Sequence, residues 1–253
     1  MASLREISTF LFEELKISAF EDSSVNGVQI EGKQEIKKVC VAVDSGLSVV
    51  RSTVEKKADM LFVHHGQFWG GGPPIVGPHK QIVETCLKNQ LTLFVCHLPL
   101  DANEKMGNNF ALARYLGLTS LESCLEFSGK LLGCKGINSK GGSAEEIISQ
   151  LQKLPGGDAP IVKCLFGPKT PKKIAICSGA AADGLYKFEA EGFDTFITGE
   201  ARQFAYHFCK ERELNAIFAG HYRSENLGVR LVGERLQKEF AIEFEFIDEP
   251  TGI

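Results

Sequence analysis

His221 and Glu225 stand four residues apart where the apolar run Ala216-Ile217-Phe218 gives way, through Ala219-Gly220, to a helix-like segment starting at Leu227. An imidazole and a carboxylate so spaced, where a buried strand becomes a helix, can both turn onto one ion. The chain repeats the arrangement: Phe94-Val95-Cys96 ends in His97, and Asp101 follows four positions later. A third apolar run, Met60-Leu61-Phe62-Val63, delivers His64 and His65. Neutral imidazole together with carboxylate suits a divalent transition ion, be it zinc, iron, manganese, cobalt or nickel. His64, His65, Asp101, His221 and Glu225 supply three nitrogens and two carboxylates, more than one ion takes when water must also fit. Two ions about 3.5–4 Å apart, with a carboxylate spanning both, form the recurring hydrolytic arrangement. A pair of divalent metal ions is therefore the expected cofactor.

Adjacent residues on an extended strand point to opposite faces, so His64 and His65 share a cluster only if the strand ends or bends there, which Gly66 makes easy. His97 is the counterpart of His221, but Asp101 already supplies a ligand beside it, so His97 is expected as a supporting group or proton shuttle. Glu200 is a candidate general base near a metal-activated water, or else an ion-pair partner of Arg202 or Arg223. The loop Trp69-Gly70-Gly71-Gly72-Pro73-Pro74 lacks the G-K-[ST] ending of a phosphate loop. It reads as a flap carrying Trp69 as a stacking surface, or as a flexible connection. Trp69 and Tyr222 are the candidate substrate-binding residues. Asn108 and Asn109 read as residues that hydrogen-bond a ligand or, more simply, cap a helix over Phe110 to Leu116, His79 reads as loop surface, and His207 as a supporting or structural residue.

The elements that must position these groups alternate. Ser3 caps a first amphipathic helix over residues 3–17, and Ser24 to Gly27 turns into a short strand, Val28 to Ile30. A buried strand over Lys37 to Val43, a helix from Leu47 to Lys57 and the buried strand Met60 to Val63, which delivers His64 and His65, follow. The lysine pair and apolar run at 37–43 recur at 172–177, an offset of 135 positions (172 − 37) that also carries Gly32 to Gly167, Asp59 to Asp194 and His65 to Glu200. A shorter loop then brings His97 onto His221 and Asp101 onto Glu225. The expectation is an α/β protein of two similar units arising from an internal duplication, 1–125 and 126–253, with mixed, mostly parallel sheets flanked by helices. Ligands collect at the carboxyl ends of strands in such sheets, where all the suspected residues lie. The alternating segment Phe240 to Ile247 is expected as a strand of the second unit.

With 253 residues, 43% apolar and 24% charged, the chain has the composition of a soluble globular protein, and its net charge of −4 argues against nucleic acid as a partner. Its apolar runs fall short of a membrane span, and its amino terminus has no signal core. The eight cysteines stand singly with no C-x-x-C, which suggests buried free thiols and a cytoplasmic location.

The motifs F-V-H-H-G-x-F-W at 62–69, H-x-P-x-D at 97–101, I-T-G-E at 197–200 and G-H-Y-x-S-E at 220–225 resemble those of the Nif-three-like dinuclear metal centre proteins, homologues of a type-two GTP cyclohydrolase I. The likeness spans nearly the whole chain; many members have proline where this chain has Gly66. The resemblance implies two α/β units, two divalent metals held by His64, His65, Asp101, His221 and Glu225, and a ring-shaped hexamer built as a trimer of dimers. It implies a metal-dependent hydrolase acting on a small polar substrate. The alternative is a metal-binding scaffold, metal-handling protein or regulatory interaction ring.

Overall fold

The computed structural model describes residues 2–158 and 160–253, with the backbone alone for residues 188–190. By their contacts these fall into two compact units, Met1–Leu100 with Gly228–Glu249, and Asp101–Leu227 with Pro250–Ile253.

The first unit is built on a five-stranded sheet in the order Glu243–Phe246, Lys38–Asp44, Met60–His65, Thr92–Val95, Gly27–Ile30. The first four strands run parallel and the last is antiparallel. Helices Leu47–Glu55 and Gly77–Lys88 connect the parallel strands. Such strands are covered on both faces, which is why Val39 to Val43 and Met60 to Val63 are uninterrupted apolar runs, all buried. Helix Leu4–Glu14 starts where the sequence predicts: Ser3 Oγ accepts the Glu6 amide at 3.2 Å while the Glu6 carboxylate accepts the Ser3 amide at 2.8 Å.

In the second unit a six-stranded sheet has the order Thr119–Phe127, Lys130–Ile137, Lys173–Ile176, Thr195–Thr198, Asn215–Phe218, Val162–Leu165. Its third to fifth strands are parallel, and their neighbours on either side are antiparallel. Helix Ala144–Leu151 carries the same capping box, between Ser143 and Glu146, and buries Ile147, Ile148 and Leu151 in a core with Ile174, Ile197 and Ile217.

Three parallel strands followed by one antiparallel strand thus occur in each unit, 38–44, 60–65, 92–95 and 27–30 in one, 173–176, 195–198, 215–218 and 162–165 in the other. Details agree as well. Asp59 accepts the amides of Lys37 and Lys38 at 2.9 and 3.2 Å, and Asp194 those of Lys172 and Lys173 at 2.8 and 3.0 Å. Gly32 donates to Thr92 Oγ1 at 3.0 Å, and Gly167 to Asn215 Oδ1 at 2.9 Å.

Two expectations are corrected. The boundary expected between 125 and 126 falls at Leu100/Asp101, because Phe110, Leu112 and Ala113 of helix Asn108–Tyr115 pack into the core of Ile147 and Ile174, and strand Thr119–Phe127 pairs with Lys130–Ile137. The C-terminal strand, expected in the second unit, pairs parallel with Lys38–Asp44 of the first. Phe244 lies against Gly233, where an added Cβ would stand 2.4 Å from its ring, and Glu245 forms ion pairs with Lys38 and Lys56. Helix His221–Phe240 accordingly begins among the residues of one unit and ends among those of the other.

Candidate metal centre

In the first unit the carboxyl ends of strands Lys38–Asp44, Met60–His65 and Thr92–Val95 bring together Asp44, His64, His65 and His97. His64 and His65 are the last two residues of their strand, and their rings nevertheless lie 4.7 Å apart at 45°. Gly66 is required for packing: an added Cβ would stand 2.5 Å from Val95 and 2.6 Å from the Gln29 amide group. The His64 Nδ1–H donates to the Cys96 carbonyl at 2.9 Å, and the His65 Nδ1 pairs with Asp44 at 2.8 Å. His97 Nδ1 meets both oxygens of Asp22, at 3.0 and 3.1 Å. One ligand atom from each of His64, His65 and His97 lies within 4.8 Å of the others.

Asp22 and Asp44 are absent from the sequence-predicted site. Asp44 ends an apolar strand and was legible by the rule that found the histidines. Asp22 opens the Ser24 to Gly27 turn, and nothing local separates it from an ordinary turn carboxylate. It is buried, which would raise its pKa, but bonds from His97, Asn26 and the Ser24 amide outweigh burial and hold it at about 2.

Trp69 stands edge-on to His97, with ring centroids 4.9 Å apart at 76°, and its indole N–H donates to the Gly66 carbonyl at 2.9 Å. Backbone bonds tie this stretch to residues 23–25, Val25 N to Phe68 O at 3.1 Å and Gly70 N to Ser23 O at 2.7 Å. The root of the glycine-rich loop is therefore pinned, and only the residues after Trp69 are exposed. His79, expected on a loop, lies in helix Gly77–Lys88 with its Nδ1 at the Pro74 carbonyl. His207 is exposed.

In the second unit, His221 opens helix His221–Phe240 just past strand Asn215–Phe218. Its Nδ1 lies 2.6 Å from Glu200 and its Nε2 3.1 Å from Glu225, one helical turn on. Burial disfavours the imidazolium, yet the hydrogen bonds and charges of Glu225 and Glu200 outweigh it and raise the His221 pKa to about 9. Two carboxylates about one imidazole make a pocket that stabilises positive charge, whether proton or metal. Glu200 is thus a partner of His221, while Arg223 is spent on the carbonyls of Ala219 and Gly157.

Asp101 is buried and held by Oδ1, which accepts from Asn108 Nδ2 at 2.8 Å and Ser178 Oγ at 2.9 Å. Asn109 donates to the Asp101 and Leu132 carbonyls and accepts the Ser178 amide at 2.7 Å. The helix cap is Gly107, so the capping role expected of Asn108 and Asn109 is corrected to one of holding Asp101 in place. Cys177 lies between: burial first, then the nearby charges of Asp101 and Glu225, push its thiol pKa well up. Gly179 has φ +68°, and an added Cβ would sit 2.4 Å from Glu225 Oε1. Tyr222 is only 3% exposed, which leaves no open ring face for a substrate to stack on.

All four imidazoles have Nδ1 against a carbonyl or carboxylate, the outer contact that orients a metal-ligating histidine through Nε2. The donor set fits a divalent transition ion, and the chain carries His, Asp and Glu groups able to bind one.

Fold and site define an α/β protein of two units, each gathering imidazole and carboxylate at the carboxyl ends of its parallel strands. Residues 2–252 match the profile of the Duf34/NIF3 (NGG1p interacting factor 3) family, and the chain belongs to that family. It is 36% identical over 250 residues to a GTP cyclohydrolase 1 type 2 homolog of Deinococcus radiodurans, covering 98% of this chain and 94% of that protein. A homolog of the same name from Archaeoglobus fulgidus is 37% identical over 251 residues, covering 99% and 100%. Among solved structures, protein ybgI, of unknown function, superposes with a TM-score of 0.91 at 30% identity, covering 99% of this chain and 100% of that one. Among the described residues no helix is long and apolar enough to cross a membrane.

Proposed function

We propose that this protein binds two divalent transition ions through His64, His65, Asp101, His221 and Glu225, and hydrolyses a small polar substrate. The observation that carries this reading is the anchoring of each ligating imidazole at Nδ1, His64 by the Cys96 carbonyl, His65 by Asp44 and His221 by Glu200, the outer contact that orients a metal-ligating histidine. The ions would supply Lewis acidity and lower the pKa of water toward neutrality. The chain's own contribution is orientation. Glu200 fixes the His221 ring, Asn108 and Ser178 fix Asp101, and Trp69 offers a rigid planar surface beside the histidines. The name of the relatives supports a nucleotide such as GTP as the first substrate to try. A cytoplasmic location is proposed on the eight free, buried cysteines and the ring-shaped hexamer on the family resemblance, and light scattering checks the latter.

The test is elemental analysis of the protein as purified, beside Asp101→Ala, followed by a panel of nucleotides, phosphoesters and amides with the metal so found. Two metal equivalents, reduced in the variant, and turnover on one substrate class are the expected result. Metal without turnover on any substrate would shift the reading to a scaffold or metal-handling role, and absence of metal after loading would remove both.

A further inference from the structure

Tyr222 is buried, yet the second unit does present an aromatic surface at the end of its sheet where His221 lies. Tyr186 is 57% exposed, and its ring stacks on that of Phe204 with centroids 4.9 Å apart at 13°. Phe208, buried one helical turn after Phe204, stands nearly perpendicular to both, at 5.1 Å from Tyr186 and 6.4 Å from Phe204. Phe204 thus covers one face of the Tyr186 ring and Phe208 braces the pair from the core, which leaves a flat aromatic surface turned outward.

The topology decides where that surface stands. Tyr186 is the second residue of helix Leu185–Ala190, which follows strand Lys173–Ile176, and Phe204 caps helix Ala205–Arg212, which follows strand Thr195–Thr198. Both therefore lie at the carboxyl ends of adjacent parallel strands, the edge where ligands collect. The two connections are tied together at their roots, where the Gly199 and Glu200 amides donate to the Gly179 carbonyl at 2.9 and 3.0 Å. Gly179 is the residue whose missing Cβ leaves room for Glu225, and Glu200 is the carboxylate on His221. The same two loops thus support the His221–Glu225 pair at one end and carry the aromatic pair at the other. Between these ends Arg202 is exposed, and among the described residues its guanidinium has no ion-pair partner.

We infer that Tyr186 and Phe204 form a stacking platform for the substrate, and that the substrate is accordingly a planar heteroaromatic ring carrying an anionic group, a nucleoside phosphate in class. This deepens the hydrolytic reading above and rests on it. A lone exposed tyrosine is ordinary, but one held flat by a second ring, on loops that also hold a site, is suited to a base, because every base has a π-face to stack. Arg202, two residues from Glu200 and two from Phe204, supplies a planar fork that matches a phosphate. An aliphatic ester or amide would use neither feature.

The experiment measures binding of guanosine monophosphate, guanosine and ribose 5-phosphate to the full-length, zinc-loaded protein by equilibrium dialysis, for the wild type, Tyr186→Phe, Tyr186→Leu and Arg202→Gln. Zinc content, circular dichroism and light scattering are recorded on the same samples. Tyr186→Leu should weaken the monophosphate and guanosine by about 5–150-fold, the usual effect of removing a stacking partner, and leave ribose 5-phosphate unchanged. Tyr186→Phe should keep wild-type affinity, and Arg202→Gln should weaken the two phosphates while sparing guanosine. Equal affinity for the monophosphate in wild type and Tyr186→Leu overturns the inference, as does a zinc-loaded wild type that binds ribose 5-phosphate as tightly as the monophosphate or binds none of the three; each of these leaves the metal reading intact. Unchanged binding with an altered particle size in Tyr186→Leu also overturns it and assigns the surface to contact between copies. A wild type that takes up no zinc overturns the metal reading and the inference with it.

Discussion

On the metal-binding reading proposed above, Asp101 shows how much of a site lies in residues that never touch the ion. Its Oδ1 is occupied by Asn108 and Ser178, which sets the orientation of the second oxygen. Asn108→Ala or Ser178→Ala should therefore lower metal affinity by about 10–100-fold, with the fold retained. Zinc titration beside circular dichroism checks this, and unchanged affinity in both variants would reduce the contacts to local packing. Asp22 and Glu200 act in the same sense on His97 and His221: a short carboxylate contact at one ring nitrogen decides what the other can do.

Strand entries hold a second recurring device. Asp59 and Asp194 each tie down the two lysine amides that begin a parallel strand, Lys37 and Lys38 in one unit, Lys172 and Lys173 in the other. Burial would raise the Asp59 pKa, but the Lys33 ammonium and these amides outweigh it and lower it below its ordinary value. A depressed carboxylate stabilises the fold fully above its unfolded pKa of about 3.9, and that contribution is lost as pH falls through the folded value. Asp59→Ala should cost about 1–3 kcal/mol near neutrality, the penalty for leaving two part-buried amides and the Lys33 ammonium without their acceptor. The gap between variant and wild type should narrow once pH drops below about 4. Asp194 is more exposed, so Asp194→Ala should cost less. Urea melts of both variants across pH provide the check; a gap for Asp59→Ala that stays constant into acid would refute the linkage.

At the scale of the whole chain, the last strand makes the first unit depend on residues synthesised after the second. Glu243–Phe246 closes the edge of the sheet beside Lys38–Asp44, and Phe244 fills the space over Gly233. Phe244→Ala should destabilise by about 3–5 kcal/mol if its site cannot collapse, and less to the extent that its partial exposure spares it. Hydrogen exchange should show the loss concentrated in strands Lys38–Asp44 and Met60–His65; protection lost only from residues 101–227 would contradict the topology.

Much of this was legible in the residues themselves. Apolar runs that end in His or a carboxylate mark the carboxyl ends of buried parallel strands, a local pattern that needs no partner to be read, and the offset of 135 positions aligns strand 27–30 with 162–165 and 60–65 with 195–198. The helix start at Ser3 was equally plain, because a capping box is complete within four residues. Tertiary structure alone decided which sheet takes Glu243–Phe246, which unit owns residues 101–125, and that Asp22 reaches His97 across 75 positions. Each of those outcomes depends on a pairing between distant segments, and strand alternation or a turn carboxylate looks the same from within the sequence whichever partner it finally meets.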